Sequence, residues 1–519
     1  MAGSVNWPAS GNQNLLYESL YAFNLLTGQL DPLLAKELTF TDQGTAIVAL
    51  QPDTKWQDGE ALTTDDILFT YGLAKDNPDL PFSTFWDYVS DMQATADRTI
   101  ELTLNPERVN PGMVRNYLCT VRILPKHVWE ARVGGEVAIS QFVDTEPIGS
   151  GPYKVLDFSA ERIAVERDDN YWGKAVYGLP VPKYVVHPIF KSNDDGNLAL
   201  QTGALDLSQQ FVPQIWLMWE EKGQPVGTWF KEEPFYVPGG IPFMFINLHK
   251  PGLENPLVRR AIAYAINYPL IAATAMSRYS APVSSSLIVP KGGEDKYFDA
   301  EAIKANGWEY DPAKAVEILE NELKATKGSD GTYVLPDGTR LGPWKVICPY
   351  GWTDWMTALE VVAQSAKEVG IDISTEFPDS PVCYSKTRNG DFDLTLFSIA
   401  AATPASPWLR FRDVLDDRGL PEFGTQAFWN YCRYSNPAVY DLLDQAATET
   451  DEATLKGVLG ELDKIYMADI PGIGLMYRPL EFYEFNESVW TGFPTSEDPW
   501  APPQHQHAGI RVLFGIKLK

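Results

Sequence analysis

Ten side chains in this sequence have the types and spacing to hold a ligand: Trp7, Asn12, Trp216, Trp219, Asn247, Trp352, Trp355, Trp408, Trp429 and Asn430. An indole face stacks on the apolar C–H face of a pyranose ring. Asn, Gln and Asp beside it can bond the hydroxyls on the ring's edge. The chain carries 16 tryptophans in 519 residues, so aromatic placement carries information. Several of them read as core instead. Trp56, Trp172, Trp86, Trp129, Trp308, Trp490 and Trp500 supply buried area to a scaffold.

The elements that must position the ten follow from hydrophobic period. Residues 344–400 give the clearest unit. Trp344 to Tyr350 alternates as a strand, and Leu359, Val362, Ala363, Ala366 and Val369 form a helical stripe that stops at Gly370. Ile371, Ile373, Thr375 and Phe377 return as a strand, and Phe392 to Ile399 forms another. Strands alternating with helices along most of the chain imply mixed α/β domains. In open α/β sheets ligands bind beyond the carboxyl ends of strands. Trp352 and Trp355 follow one such end, and their spacing puts both indoles on one side of the next helix. Trp408 follows another across the loop Ala400 to Pro407, and Trp429 with Asn430 precedes Tyr434. Trp7 and Asn12 lie in the first loop, Trp216 and Trp219 follow Phe211-Val212-Pro213, and Asn247 ends the strand Phe243–Leu248.

Six blocks in order carry a wider resemblance. Pro147-Ile148-Gly149-Ser150-Gly151-Pro152-Tyr153 reads as a tight turn launching an alternating strand from Tyr153 to Val165, with Asp169-Asn170-Tyr171-Trp172-Gly173 following. Lys55-Trp56-Gln57-Asp58-Gly59 is a hairpin signal, after which Thr63 or Thr64 can cap a helix with Asp65 and Asp66 in its first turn. The others are Leu198 to Leu207, Phe245-Ile246-Asn247-Leu248 with Asn255-Pro256, Asp311-Pro312, and Tyr434-Ser435-Asn436-Pro437 with Ile470-Pro471. Together they resemble the family 5 extracytoplasmic solute-binding proteins of ABC importers. The resemblance implies a two-lobed periplasmic-binding-protein-like α/β fold with a hinge, the ligand between the lobes, and an extra inserted domain. Transferred to this chain, one discontinuous lobe takes 1–40, 175–247 and 478–519, the extra domain 41–174, and the second lobe 248–477. The stretch before Leu15-Leu16-Tyr17-Glu18 is short for the family, so the first strand is expected shortened or trimmed.

Many peptide binders of the family hold the peptide amine on an acid in the loop that matches Ala400 to Pro407, and no acid stands there. An unpaired buried ammonium costs on the order of several kcal/mol. The tryptophan-rich loops and the tail Met476 to Pro494 look more like the oligosaccharide-binding branch, which takes β-linked gluco- and manno-oligosaccharides. The resemblance thus implies a monomeric receptor that captures an oligosaccharide and delivers it to a membrane permease. An oligopeptide receptor is the alternative, and a secreted glycoside hydrolase stands third.

Composition narrows the classes. A formal charge of −27 leaves no basic stripe for nucleic acid. Abundant Asp and Glu make any glycosidase pair an empty signal, and no Gly-x-Ser-x-Gly, His-Glu-x-x-His or P-loop pattern is present. No catalytic residue, metal or cofactor is expected. His505 and His507 read as a solvated tail, and Cys119, Cys348, Cys383 and Cys432 as buried free thiols, although spacing leaves disulfides open. The stretch Val258 to Met276 is too interrupted to span a membrane. Met1-Ala2-Gly3-Ser4 reads as a cloning remnant before a mature start, with the protein itself periplasmic or lipid-anchored outside the cell membrane.

Overall fold

The computed structural model describes residues 14–42, 44–77, 80, 82–139, 142, 144–190, 193–504 and 511–519. Trp7, Asn12, His505 and His507 lie outside the described residues. The chain forms two compact units. The first comprises Met1–Lys231, Thr403–Ala405 and Glu481–Lys519, the second Glu232–Ala402 and Ser406–Leu480.

In the first unit, a four-stranded antiparallel sheet runs in the order Ala35–Asp42, Thr45–Leu50, Thr99–Leu104, Val89–Ala96. Alternation puts Ala46, Val48, Leu50, Ile100, Leu102 and Leu104 on the buried face. The helix Thr64–Asp76 starts on a reciprocal cap: Thr63 accepts from the Asp65 amide, and the Asp66 carboxylate accepts from the Thr63 amide at 2.8 Å. The strand expected from Tyr153 to Val165 is a hairpin instead. Tyr153–Phe158 turns at Ser159 and returns as Arg162–Arg167, with Tyr184–Pro188 completing a three-stranded sheet. Helix Asn193–Thr202 ends at Gly203 with φ +78°, a left-handed value suited to glycine, and leads to the strand Leu207–Ser208.

The second unit is built on a five-stranded sheet ordered Ile373–Glu376, Trp344–Ile347, Leu394–Ser398, Pro242–Ile246, Gly472–Gly474. The first three strands are parallel, and Pro242–Ile246 runs antiparallel to both of its neighbours. All five residues of Pro242–Ile246 are buried, as expected of a central strand covered on both faces. Asn255 caps helix Pro256–Ala265, whose Val258, Ala261, Ile262 and Ala265 are buried with Ile266. Asp311 caps Pro312–Glu317 in the same way.

The observed division differs from the expected lobe boundaries at residues 232–247: Pro242–Ile246 shares its ladders with Leu394–Ser398 and Gly472–Gly474. The second unit therefore begins at Glu232 and runs to Leu480, and residues 41–174 are not divided from the rest of the first unit.

Candidate functional site

The sequence block with the strongest family likeness proves to be scaffold. A Cβ on Gly149 would stand 1.8 Å from the Leu16 carbonyl oxygen, and one on Gly151 would stand 2.3 Å from that of Leu15. Only glycine lets the turn lie against the segment 14–20, where the Gly151 amide donates to Leu16 O at 2.7 Å. Gln57 locks the turn from the other side, donating to the carbonyls of Gly151 and Tyr153 at 2.8 and 2.6 Å. Glu18 completes the junction. It accepts the Tyr171 hydroxyl at 2.6 Å and the Trp172 indole N–H at 2.8 Å, and its own amide donates to Ser150 Oγ. Burial pushes the Glu18 carboxyl up to about 7, against the pull of these donors.

In the second unit, the three parallel strands end at Ile347, Glu376 and Ser398, so the loops that follow leave from one edge of the sheet. Trp352 stands at the residue before helix Thr353–Glu368 without a side-chain bond to its amides, and its ring meets that of Trp355 edge to face with centroids 4.6 Å apart. Trp355 is buried beneath it, while Trp352 stays 37% exposed beside Tyr350 at 66%. This edge thus presents an aromatic surface braced from below. Asp354 in the same turn accepts from Arg478 Nε at 3.1 Å.

The loop after Ser398 is fixed through its backbone. The Ala400 amide donates to Asp413 Oδ2, the Ala400 carbonyl accepts from Arg410, and the Ala402 amide donates to Gly239 O. Trp408 opens helix Trp408–Leu415 half-buried, with its indole N–H spent on Leu443 O at 2.8 Å. Trp429 and Asn430 converge on one acceptor, the Asp416 carbonyl, each at 3.1 Å, and the Arg412 guanidinium lies 4.8 Å from the Trp429 ring centre.

Two of the expected ligand-binding amides are committed to the fold. Asn430 is wholly buried, donates also to Tyr434 O and accepts from the Tyr434 amide. Asn247 donates to Gly390 O and Phe392 O and accepts from the His249 amide. Both hold neighbouring loops together, because a buried amide must find such partners. Trp216 and Trp219 lie in the first unit, the former buried just before helix Leu217–Glu220 and the latter half-buried within it.

Sequence reasoning missed a buried polar cluster in the second unit. Arg410 donates to both oxygens of Glu294 and to the Leu287 carbonyl, while the Leu287 amide donates to Asp463. Burial pushes the Asp463 carboxyl up to about 7. The available signal was an arginine set among Phe411, Val414 and Leu415 on one amphipathic helix. All four cysteines are free and buried. Among the described residues no group of three or more His, Cys, Asp or Glu is placed to hold a metal, and no helix is long and apolar enough to cross a membrane.

Residues 29–413 match the family described as bacterial extracellular solute-binding proteins, family 5. The Agrobacterium fabrum protein named "Probable peptide-binding protein YejA" is 26% identical over 486 residues, covering 86% of this chain and 76% of that protein. A periplasmic oligopeptide-binding protein of an oligopeptide ABC transporter from Thermotoga maritima superposes with a TM-score of 0.92 at 30% identity, over 100% of this chain and 96% of that one. The same Thermotoga protein with mannohexaose bound gives a TM-score of 0.84 at 30% identity, over 98% of this chain and 93% of that one. The chain belongs to the family 5 bacterial extracellular solute-binding proteins and is a solute receptor of an ABC importer, not an enzyme.

Proposed function

We propose that this receptor captures an oligosaccharide, of the β-linked gluco- or manno- type, and hands it as a monomer to its membrane permease. The observation that carries the reading is the Trp352–Trp355 pair at the loop edge of the second unit, one indole half-exposed and the other bracing it. Such a face matches the C–H face of a sugar ring. Two further points support it. The loop Ala400 to Pro407 offers no carboxylate for a peptide amine, and the Thermotoga relative holds mannohexaose.

The peptide reading has its own support in the peptide-binding name of the Agrobacterium relative. Calorimetry with mannohexaose, cello-oligosaccharides and a peptide panel separates the two. Saturable binding of a sugar and none of the peptides is expected. Tight binding of peptides with no heat from any sugar would overturn the proposal.

A further inference from the structure

Helix Thr353–Glu368 begins without the side-chain cap that ordinarily fixes such a start. Trp352 stands at its N-cap position, and an indole carries a donor but no acceptor for the first helical amides. The Met356 amide on Trp352 O at 2.8 Å closes the first backbone turn. Helix ends held by backbone bonds alone fray. The aromatic face depends on this turn, because Trp352 and Trp355 stand at its two ends.

Asp354 supplies the missing restraint. It is the second helical residue, where the helix dipole favours an anion, and it is only 8% exposed. Its carboxylate accepts from Arg478 Nε at 3.1 Å. Arg478 comes from a distant part of the chain and pairs with Gly240 in the two-stranded ribbon Pro238–Gly240 and Arg478–Pro479. The ribbon is tight: a Cβ on Gly239 would stand 2.7 Å from the Leu480 amide nitrogen. The same ribbon holds the loop after Ser398, since the Ala402 amide donates to Gly239 O at 2.6 Å. One ribbon therefore braces two of the loops that leave this edge of the sheet.

We propose that Arg478 is a positioning residue for solute capture: through Asp354 it sets the first turn of helix Thr353–Glu368, and with it the angle at which the Trp352 indole meets a ligand. Asp354 lies two residues beyond Trp352 and one before Trp355, so anchoring it fixes the rotation of the turn that carries both rings. That the ligand is a sugar rests on the function proposed above; the positioning does not.

Two indoles 4.6 Å apart couple their electronic transitions, and circular dichroism reads their mutual angle as an exciton couplet. Subtracting the spectrum of Trp352→Phe from that of the parent isolates this couplet. The same subtraction in Arg478→Ala and Asp354→Ala backgrounds should show it markedly reduced. Asp354→Asn, which keeps an acceptor oxygen, should restore most of it. By calorimetry each alanine variant should weaken mannohexaose about tenfold, and the double variant should bind no more weakly than either alone, as one coupled pair requires. Asp354→Ala leaves the ribbon untouched, so the test stands even where Arg478→Ala loses stability. A couplet of parental size in both alanine variants overturns the proposal, as does a parent that shows none. So does unchanged mannohexaose affinity in a variant whose couplet is lost. A parent that binds no mannohexaose counts against the sugar reading alone, and the couplet then decides the positioning by itself.

Discussion

Arg410 and Glu294 meet through two hydrogen bonds of 2.8 and 3.0 Å, with the arginine wholly shielded from solvent. The pair fastens helix Trp408–Leu415 to the short 3-10 helix Gly292–Tyr297. Glu294→Ala would strand a buried guanidinium and should cost on the order of 3–5 kcal/mol in denaturant unfolding. Replacing both residues with methionine should recover much of that loss, because no unpaired charge remains. A Glu294→Ala chain within roughly 1 kcal/mol of the parent would refute this account.

Trp352→Ala should weaken sugar binding by about 1–3 kcal/mol through lost stacking, with little change in melting temperature. Trp408→Ala should lower the melting temperature as well, since its N–H bonds the Leu443 carbonyl. Trp172→Ala removes a donor to Glu18 and an aromatic neighbour of Tyr171 and Tyr177, so it should destabilise by roughly 3–5 kcal/mol. Calorimetry and thermal melts on the three variants separate ligand surface from scaffold. Normal affinity in a destabilised Trp352→Ala would place that indole in the core.

Stability should rise as pH falls from about 7 towards about 4.5. Glu18 and Asp463 are both pushed up to about 7 by burial, so between their ordinary carboxylate values and 7 the folded chain holds protons that the unfolded chain releases. Their contribution is fully present below the unfolded values and lost as pH climbs through 7. Whatever Glu18→Gln or Asp463→Asn costs outright, each should flatten its share of that slope. Urea midpoints measured across the window check this, and an unaltered slope in both variants would contradict it.

The four thiols should be silent to an aromatic disulfide reagent in the native protein and all react once it is unfolded in guanidinium. Burial raises Cys119 to about 12 and Cys383 and Cys432 to about 11, leaving almost no thiolate at neutral pH. Fewer than four equivalents from unfolded, unreduced protein would reveal a disulfide.

Affinity for a neutral oligosaccharide should change little between about 0.05 and 0.5 M salt, since an uncharged ligand gives screening nothing to remove. A tenfold loss over that range would favour a charged ligand such as a peptide.

The family and the α/β architecture were legible because turns and caps are local. Asp58-Gly59, Thr63 with Asp66, Asn255-Pro256 and Asp311-Pro312 each settle their geometry within a few residues. The pairing of Trp352 with Trp355 was legible for the same reason, as two positions on one helical turn. What stayed hidden depends on distant partners. Pro242–Ile246 reads as a buried strand wherever it is placed, and only ladders to residues near 396 and 473 assign it to the second unit. Asn247 and Asn430 looked like ligand contacts because an amide's partners cannot be read from its neighbours in sequence. Their donors go to Gly390, Phe392, Asp416 and Tyr434.

The strand Glu484–Asn486 lies in the middle of its sheet, flanked by Leu207–Ser208 and Val226–Thr228. The first unit therefore waits for a centre strand encoded nearly 260 residues after its neighbour at Val226–Thr228. Gly472–Gly474 closes the other unit's sheet almost as late. A nascent chain emerging from its N-terminus cannot complete the sheet of either unit until residues 472–486 have been made.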